Sequence, residues 1–447
     1  MTLDSVSSTL YEAFVRKNPA ETEFHQAVYE VLHAIQPVLR RSPELRDAAI
    51  LERLCEPERQ LMFRVVWTDD SRRVQVNRGF RVGFNSALGP YKGGLRFHRD
   101  VTLGTIKFLA FEQIFKNALT GLGIGAGKGG SDFDPAGRSD TEIMSFCQAF
   151  MTELHRHIGP ATDVPAGDIG VGSREIGYLF GQYKRLTNRY DSGTLTGKDP
   201  LLGGIPARPE ATGYGTVYFL QAMLAARGES LDGYTAVVSG SGNVAFHAIA
   251  KLRELGAVPV VCSDSGGYVH DPAGIDLEVL RDLKVTRRER LSAYPEHVPS
   301  ARFFPGEFPW DVPCDVALPC ATQNELGEQD ALRLVKNDVR AVAEGANMPC
   351  TPAAVQIFRE AGVALAPGKA ANAGGVATSA LEMRQNAARD RWTFDHTDRT
   401  LRKVMEDIHT ECLGTAEEHG LAGDYVTGAN IAGFRTVVAA MEANGYI

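Results

Sequence analysis

Between Lys92 and Asp168 the chain gathers residues able to bind carboxylates and move protons, set among glycines. PYKGGLRFH puts Lys92 beside Gly93 and Gly94. FEQIFKN puts Gln113 and Lys116 three apart, on one face of a helix. GIGAGKGGSDFDP suspends Lys128 in a glycine loop, and VPAGDIGVG places Asp168 in another Gly/Pro loop. A single lysine is most often a solvated surface charge. Several in glycine-dense surroundings form a different pattern, because glycine lets backbone come close to a ligand. Clustered lysines lower one another's pKa, which suits one of them to acid–base work near neutral pH while the others bind carboxylates.

A second constellation is GSGNVA, with Gly240, Gly242 and Ala245. It follows the β-branched run TAVVS and opens a long helical pattern, the context in which G-x-G-x-x-A reads as a dinucleotide-binding turn. Gly240 permits the tight turn, Gly242 lets backbone approach a pyrophosphate, and Ala245 allows close helix–strand packing. The helix N-terminus supplies free N–H groups for the phosphates. The alternative is a generic glycine turn. GLGIGA, from Gly121 to Ala126, matches the same pattern but follows a helix, and it does not make a Walker loop with Lys128.

A strand after the fingerprint ends at Ser263–Asp264, and Ser265 follows. An acid there favours the ribose hydroxyl of NAD. Downstream, KVTRRER carries Lys284, Arg287, Arg288 and Arg290. Folded over the adenosine pocket, this run neutralises the 2′-phosphate of NADP; the other reading is a solvated helix face.

The elements that position these residues fall into two textures. The first ~200 residues mix helices, with breaks at Pro19 and Pro43, and strands such as FRVVWTD and RRVQVNRGFRVGFNSA. After the Gly/Pro-rich stretch GKDPLLGGIPARPEATG, strands alternate with helices: TAVVS, VPVVC, DVALPC, AVAEG and VALAP, the signature of a parallel sheet. Pro259 inside VPVVC removes a ladder donor. The expected fold is α/β. A substrate-binding and oligomerisation domain with a mixed sheet covers 1–202, a Rossmann-type domain covers 203–424, and a C-terminal helix, 425–447, returns to the first.

Composition narrows the function classes. The 447 residues carry 47 Lys plus Arg against 55 Asp plus Glu, a formal net charge of -8, which argues against a nucleic-acid coat. The N-terminus has no secretory pattern and no window reaches the ~20 apolar residues of a membrane helix, so a cytoplasmic protein without a membrane partner is expected. Seven scattered cysteines without a C-x-x-C pair read as buried thiols. His155 and His157, two apart, do not face one another, and no metal site is expected.

PYKGGLRFH, FEQIFKNALT, GKGGSDFDP, TDVPAGDIGVG, RPEATGYG, VSGSGNVA, ALPCATQNEL, AEGANMP and APGKAANAGGVATS together resemble the NADP-dependent hexameric glutamate dehydrogenases, in order, from about residue 20 to the C-terminus. Ala126 departs from the family's usual glycine. The resemblance implies reversible reductive amination of 2-oxoglutarate with ammonium and NADPH to L-glutamate, in a homohexamer, with the active site in the cleft between the domains. It makes Lys128 and Asp168 catalytic and gives Lys92, with Ser379, the side-chain carboxylate. Gln113 and Lys116 take the α-carboxylate, and Gly167 meets the substrate through its backbone. Thr212 and Asn243 contact the cofactor, Asn347 lies near the nicotinamide ribose, and of the cysteines Cys320 is nearest the cofactor, where a buried, inert thiol is expected. The rivals are a dehydrogenase for leucine, valine or phenylalanine, which lacks the cation at Lys92, and a non-catalytic dinucleotide-binding regulator, against which intact Lys128 and Asp168 argue.

Overall fold

The computed structural model describes residues 3–42, 45 and 49–445. Pro19 falls between helices Ser5–Lys17 and Thr22–Ala34, whereas Pro43 lies outside the described residues. The chain forms two compact units. The first contains Met1–Pro206, Val376–Thr397 and Asn430–Ile447, and the second Ala207–Gly375 and Asp398–Ala429. The chain therefore re-enters the first unit twice, where a single return from residue 425 was expected. The earlier return is held by a buried ion pair: Lys198 Nζ lies 2.6 Å from Glu382 Oε1, and Gly197 N–H donates to Glu382 Oε2 at 3.0 Å. Both pairing side chains are fully buried.

In the first unit, β1 (Arg59–Thr68), β2 (Val74–Asn85), β3 (Tyr91–Phe97), β4 (Ala126–Ser131) and β5 (Asp163–Gly167) form a mixed sheet in the order β1-β2-β4-β3-β5. β1, β2 and β4 pair antiparallel, while β3 runs parallel to both β4 and β5. The alternating apolar residues of β1 and β3 supply Trp67, Leu95 and Phe97 to an aromatic core with Phe133, Phe146 and Phe150. Phe133 and Phe146 stack with centroids 3.8 Å apart. Helix Asp140–Leu154, which carries Phe146 and Phe150, starts at a capping box between Ser139 and Glu142. Helix Leu103–Leu119 packs against β2 and β4 and starts at Thr102, whose side chain accepts from Thr105 N–H.

The GKGG segment, expected as a loop, is part of β4. Its glycines serve crowding rather than turning, because β2 and β3 close on it from both sides: a Cβ on Gly130 would lie 2.2 Å from Arg96 O. GLGIGA is the turn between helix Leu103–Leu119 and β4, and Gly121 and Gly123 take φ of 65° and 64° there.

In the second unit, β6 (Thr235–Val238), β7 (Val258–Asp264), β8 (Gly267–His270), β9 (Arg302–Pro305), β10 (Val316–Leu318), β11 (Ala341–Ala343) and β12 (Ala364–Ala366) form a sheet ordered β12-β11-β10-β6-β7-β8-β9. The run from β12 to β7 is parallel and β8 and β9 add antiparallel. Buried on both faces, the parallel strands are short apolar runs, packed with Trp310, Leu334 and Phe358. Pro259 sits where the register slips: Ala236 faces Pro259 but Val237 faces Val261, so the missing donor falls at an irregularity. Among the described residues no helix is long and apolar enough to cross a membrane.

Candidate active site

In the first unit the parallel strands β4, β3 and β5 line up the residues singled out by their chemistry. Lys92 lies on β3 opposite Val164 of β5 and is 1% exposed. Lys128 lies on β4 and is 6% exposed. Asp168 follows β5, where it bridges to Val171. Gly94 makes this arrangement possible, because a Cβ there would stand 2.8 Å from both Asp168 Cβ and Gly167 O. Lys128 Nζ reaches Asp168 Oδ2 at 2.5 Å, and Arg96 Nη2 stands 3.5 Å from the same oxygen. Asp168 Oδ1 accepts from Ile169 N–H at 2.7 Å, which fixes the carboxylate.

The electrostatics of the pair are asymmetric. Burial opposes the charge on Lys128, and although Asp168 favours it, Arg96 and Arg81 oppose it; the ammonium is held below the usual lysine range. Burial also opposes charge on Asp168, but Lys128 and Arg96 outweigh that and keep the carboxyl well below the usual carboxylate range. The site therefore offers a permanent carboxylate beside an amine poised to release its proton.

Helix Leu103–Leu119 supplies Gln113, which is buried, and Lys116, which is half-buried. Gln113 Nε2 donates to Asn117 Oδ1 at 2.6 Å, and Asn117 Nδ2 donates to Lys92 O at 3.0 Å and to Gly125 O at 2.6 Å. Asn117 thus ties the helix to the lysine strand. The sequence reading passed over it, although it stands beside Lys116 in FEQIFKN. Arg96 was passed over as well, although it lies in PYKGGLRFH. Ser379 is buried in helix Gly374–Ala388, in this same unit.

In the second unit the fingerprint turn joins β6 to helix Asn243–Glu254. Gly240 takes φ of 83°, the left-handed region that glycine tolerates, and its N–H donates to Ser263 Oγ at 2.7 Å. A Cβ on Gly242 would meet nothing within 4 Å, and this N-cap has no side-chain hydrogen bond. The first turn of the helix is thereby open to a phosphate. Ala245 is fully buried, as close helix–strand packing requires. Asn243 Nδ2 donates to Pro209 O at 2.5 Å, which brings the turn beside helix Ala211–Ala225 and its Thr212. Asn347 is exposed after β11, and its Oδ1 accepts from Asn372 Nδ2 at 3.1 Å.

The basic run does fold back on the end of β7. Lys284 Nζ lies 3.3 Å from Asp264 Oδ2, and Arg290 Nη1 donates to Ser265 Oγ at 2.5 Å. Asp264 also accepts from Gly266 N–H at 2.8 Å and Leu291 N–H at 2.9 Å. Burial would raise its carboxyl, but these amides and Lys284 hold it below the usual range. With its oxygens occupied, Asp264 organises the basic loop. Exposed Ser265 and Arg290 and half-buried Lys284 form a group suited to a phosphate. Arg287 pairs instead with Asp282 at 2.7 Å. Cys320 is buried, and burial pushes its thiol well above the usual range, so it is inert.

A parallel sheet with a dinucleotide turn, in a chain that also sets a buried lysine against an aspartate, defines a dinucleotide-dependent α/β enzyme. Residues 203–445 match the family described as Glutamate/Leucine/Phenylalanine/Valine dehydrogenase, and residues 57–185 match the dimerisation domain of the same family. The chain belongs to this family. It is 54% identical over 443 residues to an NADP-specific glutamate dehydrogenase of Helicobacter pylori, covering 98% of this chain and 99% of that one. It is 53% identical over 442 residues to an NAD(P)-specific glutamate dehydrogenase of Xylanibacter ruminicola, again covering 98% and 99%. The crystal structure of Plasmodium falciparum glutamate dehydrogenase superposes with a TM-score of 0.97 at 50% identity, covering 99% of this chain and 95% of that one.

Proposed function

We propose that this chain is an NADP-dependent glutamate dehydrogenase that reductively aminates 2-oxoglutarate with ammonium, reversibly, to L-glutamate. The observation that carries the reading is buried Lys128 held 2.5 Å from half-buried Asp168, in the unit that also buries Lys92. Relatives of matching length and more than half-identical sequence carry the same activity in their names.

Lys92, with Ser379, takes the distal carboxylate of the substrate, and Gln113 and Lys116 take the α-carboxylate. The backbone at Gly167 lies against the substrate. The Lys128 ammonium stabilises negative charge as it develops on the carbonyl oxygen. Ammonia attacks the carbonyl carbon, and Lys128 gives its proton to the oxygen as the C=O π bond opens. Asp168 relays a second proton from the new ammonium nitrogen to that oxygen, which leaves as water with Asp168 again ionised. The iminium carbon that remains is electrophilic. When bound, NADPH supplies the hydride that converts it to the amine. Thr212, Gly240, Gly242, Asn243 and Asn347 hold the dinucleotide, and Ser265 and Lys284, on the loop that Asp264 organises, meet the 2′-phosphate.

Self-association, as a homohexamer, fits the first unit. β1 is a sheet edge, and Met62 and Val66 on it and Val74 and Val76 on β2 are exposed apolar side chains. The cytoplasm, rich in NADPH and 2-oxo acids, is the compartment that suits the reaction.

The test follows NADPH absorbance with 2-oxoglutarate and ammonium, then with NADH. Ammonium-dependent oxidation, faster with NADPH, is expected. No such oxidation with either cofactor defeats the reading, and 2-oxoisocaproate outpacing 2-oxoglutarate reassigns the substrate.

A further inference from the structure

Arg81 projects from β2 and is 1% exposed, among the most deeply buried charges of the first unit. Its Nε donates to Asp163 Oδ2 at 2.8 Å, its Nη2 to Asp163 Oδ1, and its Nη1 to Gly93 O at 3.1 Å. Asp163 begins β5 and Gly93 lies on β3, while the strand order is β2-β4-β3-β5. The guanidinium must therefore cross β4 to reach its partners.

Two glycines make the crossing possible. A Cβ on Gly129 would come within 2.9 Å of Arg81 Cδ, and one on Gly127 within 3.4 Å of Arg81 Nη2. These residues stand on either side of Lys128. Side chains alternate along a strand, so Arg81 passes behind β4 on the face opposite to Lys128. The G-K-G pattern thus reflects an arginine laid across the back of the lysine's strand. Generic stabilisation is a poor account of such a pair, since apolar residues of similar volume often serve a core as well or better than buried ions.

We propose that Arg81, clamped by Asp163, is a positioning residue for Lys128: it braces β4 from behind and locks β3 and β5 against it, so that Lys128 meets Asp168. The proposal rests on the catalytic reading of Lys128. It has an electrostatic corollary. The charged groups that act on Lys128 are Asp168 after β5, Arg96 on β3 and, from behind β4, Arg81 on β2, the last with Asp163 as its counter-ion. The two arginines favour the neutral amine and Asp168 the charged one, so losing Arg81 moves the lysine's titration to higher pH.

The test compares wild type, Arg81→Met/Asp163→Asn and Arg81→Lys. The double variant removes both charges and leaves no buried orphan. Expected for it are an NADPH Kd within about twofold of wild type and a kcat lower by roughly tenfold to a hundredfold, with the Lys128 limb of the kcat–pH profile little moved because two opposite charges leave together. Arg81→Lys keeps the charge but loses the fork, so its kcat falls by about tenfold while the limb stays. Either variant with kcat within twofold of wild type overturns the proposal. So does a double variant in which Tm, NADPH Kd and kcat all worsen together, the mark of a merely structural pair. If the double variant does not fold, Arg81→Lys alone decides. A wild type without ammonium-dependent NADPH oxidation fails at the earlier step and removes the proposed function itself.

Discussion

The two units prepare for their ligands with different atoms. The first buries cations on side chains: Lys92 and Lys128 on neighbouring strands, with Arg96 and Arg81 beside them. The second presents backbone and exposed polar groups: the open turn at Gly242, and Ser265, Lys284 and Arg290 at the end of β7. Lys128 is buried and Asp168 half-buried, so the charges there are less screened than on the surface and shift one another more strongly. At the basic loop the charges remain solvated, and their worth is specificity for a phosphate. The comparison teaches that one chain can set its charges in two ways, by choosing how much water each group keeps.

The largest expected effect breaks the first unit's side. Lys128→Ala removes the group that faces the developing charge, so kcat is expected to fall by about 10³-fold or more. NADPH affinity, read by fluorescence titration, is expected to hold. A variant that keeps turnover would reduce Lys128 to a structural lysine. Lys92→Leu comes next, with a loss of about a hundredfold in kcat/KM for 2-oxoglutarate and a gain on apolar 2-oxo acids. Unchanged 2-oxoglutarate kinetics would remove Lys92 from substrate recognition.

The second unit's side should break more softly. Arg290→Ala is expected to raise the KM for NADPH by about tenfold and leave that for NADH in place, with the NADPH effect shrinking as salt is added. Equal losses for both cofactors would mean that the loop is merely unfolded. The smallest effect concerns pH. Lys128 titrates below the ordinary lysine value of 10.5, partly through Arg96, so Arg96→Gln should move the alkaline limb of kcat upward by less than about one unit. A downward shift contradicts the assigned sign. Asp168 is held well below its ordinary 3.8 and stays ionised throughout that range.

Much of the second unit was legible in advance. The alternation of apolar strands with helices, the fingerprint turn after TAVVS and the acid at the end of β7 are local patterns, read within a few dozen residues. The role of Asp264 was not legible, because its partners Lys284 and Leu291 come from beyond two further elements. In the first unit the residue types were legible but their surroundings were not. GKGG looks like a loop because glycine is the residue of loops, and only the crowding by β2 and β3 makes it a strand. Asn117, Arg96 and Arg81 gave no signal stronger than any other polar residue until their partners were in place.

By itself the sequence determined the class of fold, the dinucleotide turn and the inventory of cations, because each is written in short-range periodicity or in residue type. Which lysine is buried against which carboxylate, and why glycines flank it, was decided only by tertiary structure. The strands that pair, β2 with β4, β4 with β3 and β3 with β5, are distant in sequence, and it is their pairing that lays Arg81 across β4 to Asp163 and sets Lys128 against Asp168. Lys128 is buried only where such strands meet, and that burial holds its ammonium below the usual lysine range.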